Sequence, residues 1–259
     1  MIDLMRKFSA WLLPFILLSL VAVSCRTGYA LVGVDGGRVA MDSTFDLFVD
    51  DDMVEEIEDF KEDLVEEMSP VIGSSAATMR CEVGRDYNVL ANTVADMVMD
   101  EGRRLDPAVA FAVINVGGLR KDLPEGEITV GTAFEILPFE NTLCIVDMPG
   151  TAVAELFGQI ARLGGEGVSA EVRLTVSRDG GLLDATVGGR EVDADATYRV
   201  VTIDYVAEGN DGMAAFKRAT RAVYPDDELF RDVFIRHVTA LAADGKAVQP
   251  KTDRRIFVK

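Results

Sequence analysis

The sequence predicts an α/β domain in which helices are layered on a mixed sheet. Residues 109–114 (VAFAVI) form a continuous apolar run, which is typical of a strand covered on both faces. Residues 151–163 repeat apolar side chains at helical spacing and are followed by two glycines, the usual pattern of a helix and its C-terminal cap. Because both kinds of segment alternate over residues 80–259, we expect one domain with a substantial core.

The other elements follow from the same two periodicities. Helices are expected at residues 88–101, 132–136, 151–163 and 227–243. Strands are expected at residues 109–114, 128–130, 142–148, 170–176, 182–187, 198–203 and 255–258.

Residues 25–79 are expected to form an N-terminal extension that packs on this domain. Residues 29–42 read as two strands joined by a Gly-Gly turn, and residues 73–77 as a loop. Residues 50–68 place apolar side chains at helical spacing with acidic side chains between them, which predicts an amphipathic helix. Its acidic face suits either a basic partner or water, and water is favoured.

Residues 1–24 predict export. Arg6 and Lys7 precede an uncharged apolar run at residues 8–24, as in a secretory signal peptide. The run is short for a membrane span and Pro14 interrupts it, so a transmembrane anchor is the weaker alternative. The residues before Cys25 (VAVS) resemble the lipobox of a bacterial lipoprotein, which implies a lipid on Cys25 and a periplasmic or surface-facing location at the bacterial cell envelope.

The composition excludes several classes of site. The chain is 49% hydrophobic and 27% charged, as in a globular protein. One histidine and three cysteines cannot supply a Cys/His zinc site, a haem or iron–sulfur site, or a histidine-rich two-metal centre. The formal net charge of −18 argues against nucleic acid as a partner, because the phosphate backbone is bound through Lys and Arg.

The remaining cysteines and the histidine predict packing rather than catalysis. Cys81 and Cys144 could pair in an oxidising compartment, although a buried, reduced Cys144 is favoured because it lies in an apolar run. His237 falls on the apolar face of the helix expected at residues 227–243. That position favours a packed histidine with a hydrogen-bond partner over a catalytic base.

Three polar segments could hold a ligand. Residues 115–120 (NVGGLR) place two glycines and Arg120 after a buried strand, an arrangement that suits a carboxylate or phosphate, although it is also that of a simple turn. In residues 137–141 (LPFEN), Phe139 could stack on a flat base or belong to the core. In residues 202–212, Asp211 could accept hydrogen bonds from sugar hydroxyls or brace the turn.

Together with residues 90–96 (LANTVAD), these three segments resemble the C-terminal, substrate-binding domain of the 5'-nucleotidase family. The resemblance covers residues 80–259 and implies the fold of that domain. It implies that Arg120 binds phosphate, with Asn115 at the start of the same loop and Arg85 as a second phosphate arginine. It also implies that Phe139 and Tyr205 enclose the nucleobase, that Asn141 faces the base edge and that Asp211 holds the ribose hydroxyls.

Three positions depart from the family pattern. Val116, Glu140 and Asn210 stand where the family has glycine. Glu140 places a carboxylate beside the expected anion site, which would weaken phosphate binding unless the side chain points away. A nucleoside or a different nucleotide therefore remains an alternative ligand.

The family's other domain has no counterpart in the sequence. That N-terminal metallophosphoesterase domain uses two metal ions to activate water, whereas residues 25–79 are too few for it and contain no histidine. We therefore expect no catalytic residue, metal ion or other cofactor in this chain, and a divalent metal pair only on a separate metallophosphatase chain.

Three functions fit these expectations. The first is nucleotide recognition within a split 5'-nucleotidase-type phosphohydrolase that degrades nucleotides at the cell envelope. The second is a lipid-anchored protein that binds nucleotides or nucleosides without catalysis. The third is a structural lipoprotein whose pocket has decayed.

Overall fold

The computed structural model describes residues 33, 36–40, 42–44, 50–82, 84 and 87–259. The predicted signal peptide, Cys25 and Arg85 lie outside these residues. So does most of the predicted strand pair at residues 29–42, and its few described residues are not in strands. Residues 1–54 and 55–259 are two compact units, and the sheets belong to the second.

The elements alternate between helix and strand along most of the chain. The helices are α1 (Asp51–Met68), α2 (Val89–Leu105), α3 (Val130–Ile136), α4 (Gly150–Arg162), α5 (Asp204–Ala207) and α6 (Phe230–Ala243), with 3₁₀ turns at Val116–Gly118 and Ala214–Arg218. The strands are β1 (Val71–Ser75), β2 (Val109–Ile114), β3 (Gly126–Thr129), β4 (Leu143–Pro149), β5 (Gly167–Val168), β6 (Val172–Val176), β7 (Leu182–Val187), β8 (Arg190–Glu191), β9 (Thr197–Ile203), β10 (Arg221–Val223) and β11 (Ile256–Val258).

The central sheet has five strands in the order β10-β4-β9-β2-β5, and only β2 and β9 run parallel. Val201 of β9 faces α2, since a Cβ at Gly102 would lie 2.7 Å from its Cγ1. Phe111 of β2 faces α4, where its ring centroid is 5.4 Å from that of Phe157. Phe111 pairs with Val200, the neighbour of Val201, and neighbouring side chains point to opposite faces. Helices therefore cover both faces, and the predicted mixed sheet is confirmed.

Two smaller sheets complete the described fold. One has the strand order β11-β6-β7-β8, with β11 parallel to β6, and it packs against α4. The other joins β1 to β3 and packs against α6.

The structure corrects the sequence analysis mainly in short elements. Residues 73–75, predicted as loop, belong to β1 because they pair with β3. The strands β5, β8 and β10 have two or three residues each, too few to show a periodicity. Helix α6 begins at Phe230 rather than 227, since Asp227 has a φ of 58°, which lies outside the right-handed helical region.

The acidic helix α1 forms as predicted, but its apolar stripe is not packed. Ile57, Phe60 and Leu64 remain 56%, 69% and 55% exposed, so the described residues leave much of this stripe uncovered. At the end of the helix, Met68 lies against Gly131. Among the helices of the described residues, none is long and apolar enough to cross a membrane.

The asparagine and aspartate of LANTVAD serve the fold. Arg255 is 1% exposed, and its guanidinium donates to Asp96 Oδ1 at 2.7 Å and Oδ2 at 2.8 Å. It also donates to the carbonyls of Asn92 and Val168, while the Asn92 amide donates to the Asp253 carbonyl. This network ties the segment before β11 to α2 and β5.

The two cysteines of the described residues do not form a disulfide bond. Cys81 and Cys144 are free, and Cys144 is buried in β4 as expected; burial raises its pKa to about 11. His237 is partly buried, and this burial lowers its pKa.

Candidate functional site

The loop after β2 is built around two glycines. Residues 116–118 form a 3₁₀ turn, in which the Gly118 N–H donates to the Asn115 carbonyl at 3.2 Å. A Cβ at Gly118 would lie 2.9 Å from Asn115 Oδ1, closer than side chains normally approach. Glycine therefore lets the Asn115 side chain lie under the turn, and we call residues 115–118 the glycine loop.

Arg120 follows the glycine loop with its guanidinium exposed. One Nη donates to the Gly117 carbonyl at 3.2 Å, and the Arg120 backbone N–H donates to the Ile136 carbonyl at 2.9 Å. Among the described residues it takes part in no ion pair. Since a guanidinium has five N–H donors, most of them remain available to an anion.

Phe139 lies beside Arg120 on the loop that follows α3. Its side chain is 49% exposed, so the alternative of a core phenylalanine is wrong, and the Arg120 Cζ lies 6.0 Å from its ring centroid. Arg231 holds this loop by donating to the Leu137 carbonyl at 3.2 Å and by stacking 3.8 Å from the ring centroid of Phe134. The ring is therefore presented to solvent from an anchored loop.

Asp211 joins two of the three segments through its carboxylate. Asn115 Nδ2 donates to Asp211 Oδ2 at 2.7 Å, and the Tyr205 hydroxyl donates to Oδ1 at 2.9 Å. The second bond and the carboxylate charge raise the pKa of Tyr205. Asn210, which replaces a glycine of the family pattern, donates to the Tyr205 carbonyl at 2.9 Å. Asp211 therefore braces its turn, at a φ of 50°, and also faces the glycine loop.

The structure brings five of the predicted residues together. A Cβ at Gly117 would lie 3.5 Å from Asp211 Oδ2, and Gly117 also accepts the hydrogen bond from Arg120. The connected residues are Phe139, Arg120, Asn115, Asp211 and Tyr205. The ring of Tyr205 is 39% exposed, so the cluster offers one cation and two accessible aromatic faces.

Asn141 is the predicted residue of the described chain that is not among these connected residues. Asn141 is partly buried, and its carbonyl accepts a hydrogen bond from the Phe230 N–H at 2.8 Å, which ties the Phe139 loop to the start of α6. Arg85 lies outside the described residues. Glu140 is exposed.

One carboxyl group of the site has no signal in the sequence. Glu166 lies between α4 and β5, and its Oε2 accepts the Val116 N–H at 2.6 Å. Burial raises its pKa to about 7, and the negative charge of Asp211 adds to this effect. A glutamate that follows two glycines at the end of a helix is typically exposed to solvent, so the sequence does not mark it as a site residue. The pairing of β5 with β2 brings it under the glycine loop.

The fold and the connected residues define a mixed α/β domain with an exposed polar and aromatic cluster, and comparison with known proteins identifies the family. The model of the family "5'-nucleotidase, C-terminal domain" matches residues 69–218, more than half of the chain. The chain belongs to this family, and the resemblance drawn from its motifs is confirmed.

Similar proteins are much longer than this chain. It is 27% identical over 222 residues to the trifunctional nucleotide phosphoesterase protein YfkN of Bacillus subtilis, covering 78% of this chain and 15% of that protein. It is 31% identical over 187 residues to the cell wall protein Lmo0130 of Listeria monocytogenes, and the match covers 66% of this chain and 23% of that protein. The crystal structure of a 5'-nucleotidase precursor from Thermus thermophilus superposes with a TM-score of 0.69 and 26% identity. The superposition covers 79% of this chain and 42% of that one.

The described residues do not fit a metal centre. Over the part of the chain that the structure describes, no three His, Cys, Asp or Glu side chains come together in a group that could hold a metal ion. The acidic side chains nearest the glycine loop, Asp211 and Glu166, are instead engaged with Asn115, Tyr205 and the Val116 N–H.

Proposed function

We propose that this chain recognises the base and phosphate of a nucleotide for a 5'-nucleotidase-type phosphohydrolase whose metal centre lies on another polypeptide. The observation that carries the proposal is the continuous arrangement from Phe139 through Arg120 and Gly117 to Asp211 and Tyr205. It connects an exposed arginine that forms no ion pair among the described residues to two exposed aromatic side chains, the groups that a molecule with a flat base and an anionic group would contact.

Each part of a nucleotide finds a matching group. A phosphate accepts charge-assisted hydrogen bonds from Arg120, whose planar fork suits bidentate contact. The base stacks on Phe139 and Tyr205, with the Asn141 amide at its edge and Arg85 as a further phosphate ligand. Each Asp211 oxygen already accepts one hydrogen bond and retains a lone pair for a ribose hydroxyl.

The proposal assigns hydrolysis to a second chain because the described residues hold no donor set for a metal ion. The protein with AMP and added Mn²⁺ or Zn²⁺ is expected to release no phosphate. Adding a separate metallophosphatase chain that completes the enzyme is expected to start release that depends on Arg120. Hydrolysis by this chain alone would refute the split arrangement.

A second candidate is a binding protein without catalysis, which captures nucleosides or nucleotides. The specific observation in its favour is the Glu166 carboxyl under the glycine loop, because a negative charge there opposes a bound phosphate. The exposure of Phe139 and Tyr205 counts against a merely structural role with a decayed pocket.

Phe139→Ala is expected to weaken binding of AMP and of adenosine equally, by about 1–3 kcal/mol, because both lose stacking on the same ring. Calorimetric titration of both ligands measures the effect. Phe257→Ala removes a similarly exposed ring on β11 and is the control that should leave both affinities unchanged. Equal affinities for wild type and Phe139→Ala would remove Phe139 from the site.

We also propose that the protein is exported and held at the cell envelope by a lipid on Cys25. The apolar run that precedes Cys25 supports this, as does the similarity to a cell wall protein of Listeria monocytogenes. Cys25→Ser is expected to move the protein from the membrane fraction to the soluble fraction, because the acyl chains supply the membrane affinity. Cys81→Ser should stay in the membrane fraction, and retention of Cys25→Ser there would contradict the anchor.

A further inference from the structure

Glu166 occupies an unusual place for a carboxyl group. It precedes β5, in which Gly167 pairs with Ile114 at the end of β2, and a Cβ at Gly167 would lie 2.5 Å from Ile114 Cγ1. This close approach fixes Glu166 under the glycine loop. Its Oε2 accepts the N–H of Val116, the first residue of the 3₁₀ turn.

We propose that Glu166 determines how strongly the site prefers an unphosphorylated nucleoside over a nucleotide. The inference rests on the proposed function and deepens it, because it concerns the ligand class of the same site. Glu166 accepts the hydrogen bond of the Val116 N–H in the glycine loop, so that this donor is not available to a ligand. It also places a second carboxyl group near Asp211.

The groups that face Glu166 do not neutralise it. Asp211, in the loop before the second 3₁₀ turn, carries a negative charge that raises the pKa of Glu166 further. From the segment before α2 comes the Cys81 thiol, whose pKa is raised by burial and, to a lesser degree, by Glu166. Arg120 is the cation near that thiol. Among the described residues no Lys or Arg forms an ion pair with Glu166.

The charge on Glu166 therefore changes near neutrality. With a pKa of about 7, the carboxyl group is largely protonated at about pH 6 and largely ionised at about pH 8.5. Ionisation adds a negative charge beside Asp211, which repels an anionic ligand and leaves an uncharged one almost unaffected. The preference for a nucleoside therefore increases as the pH rises through this range.

The test compares adenosine with adenosine 5'-sulfate, whose ester keeps one negative charge at both pH values. For wild type, the ratio of the sulfate Kd to the adenosine Kd is expected to rise about fivefold between about pH 6 and about pH 8.5. Glu166→Gln keeps an oxygen acceptor for Val116 and should abolish the rise. Glu208→Gln removes an exposed carboxylate three positions before Asp211 in the chain and should retain the rise.

The outcomes separate the two claims. If both ligands bind wild type and the ratio does not change with pH, the role of Glu166 is refuted, whatever the variant does. A rise that persists in folded Glu166→Gln assigns the titration to another group and also refutes it. If neither ligand binds wild type at either pH, nucleotide recognition itself fails and this inference fails with it.

Discussion

Replacing Arg255 by alanine is expected to lower the free energy of unfolding by about 3–5 kcal/mol, because it leaves a buried charge without its partner. The Arg255 guanidinium is 1% exposed and holds both oxygens of Asp96 as well as the carbonyls of Asn92 and Val168. Without it, the Asp96 carboxylate and both carbonyls lose hydrogen bonds that water cannot fully replace.

Urea unfolding measures this effect, and the chain offers a matched control. Arg173 pairs with the same Asp253 as Arg255 does, at 3.1 Å, but its side chain is 39% exposed, so Arg173→Ala should cost less than about 1 kcal/mol. Arg255→Met combined with Asp96→Leu should recover much of the loss, since neither charge is then left unpaired. Equal costs for Arg255→Ala and Arg173→Ala would contradict the assigned role.

Arg120→Ala is expected to weaken binding of AMP by about 1.5–3 kcal/mol, or roughly 10- to 150-fold, through the loss of a charge-assisted contact with phosphate. Adenosine has no phosphate, so its affinity should change by less than about twofold. The guanidinium is exposed and bonds only the Gly117 carbonyl in the described structure. The fold should therefore be preserved.

Titration of the variant with both ligands measures the difference between them. Arg218→Ala is the control, because Arg218 is an exposed arginine paired with Glu155 outside the site, and it should bind AMP as wild type does. An equal loss for AMP and adenosine would show that Arg120 positions the loop rather than binding phosphate. No loss for either ligand would exclude Arg120 from the site.

The long elements of the fold could be predicted from periodicity, because the spacing of apolar residues within each element shows which of its faces is buried. The apolar run of β2 and the stripe of α4 are such cases. Strand β1 could not be predicted in this way: residues 71–75 (VIGSS) carry no alternation, and they are strand only because β3 pairs with them. Helix α1 shows a different limit of periodicity. Its amphipathic pattern predicts the helix correctly, but it does not predict which part of the protein, if any, covers the apolar stripe.

The residues of the candidate site also fall into those that a local sequence motif predicts and one that only the tertiary structure reveals. Arg120, Phe139 and Asp211 could be found because each lies in a short motif of the family pattern. Glu166 lies 50 positions beyond Val116 in the chain, in a segment with no motif, and it reaches the site only through the pairing of β5 with β2. Its raised pKa arises from burial and from Asp211, both of which are properties of the folded state.

Calorimetric titration of the full-length protein with AMP and with adenosine, without added metal, tests the central claim most directly. We predict that both ligands bind and that AMP binds more tightly at about pH 6, where the Glu166 carboxyl group is largely protonated and Arg120 attracts the phosphate. Absence of binding for both ligands would contradict nucleotide recognition by this chain.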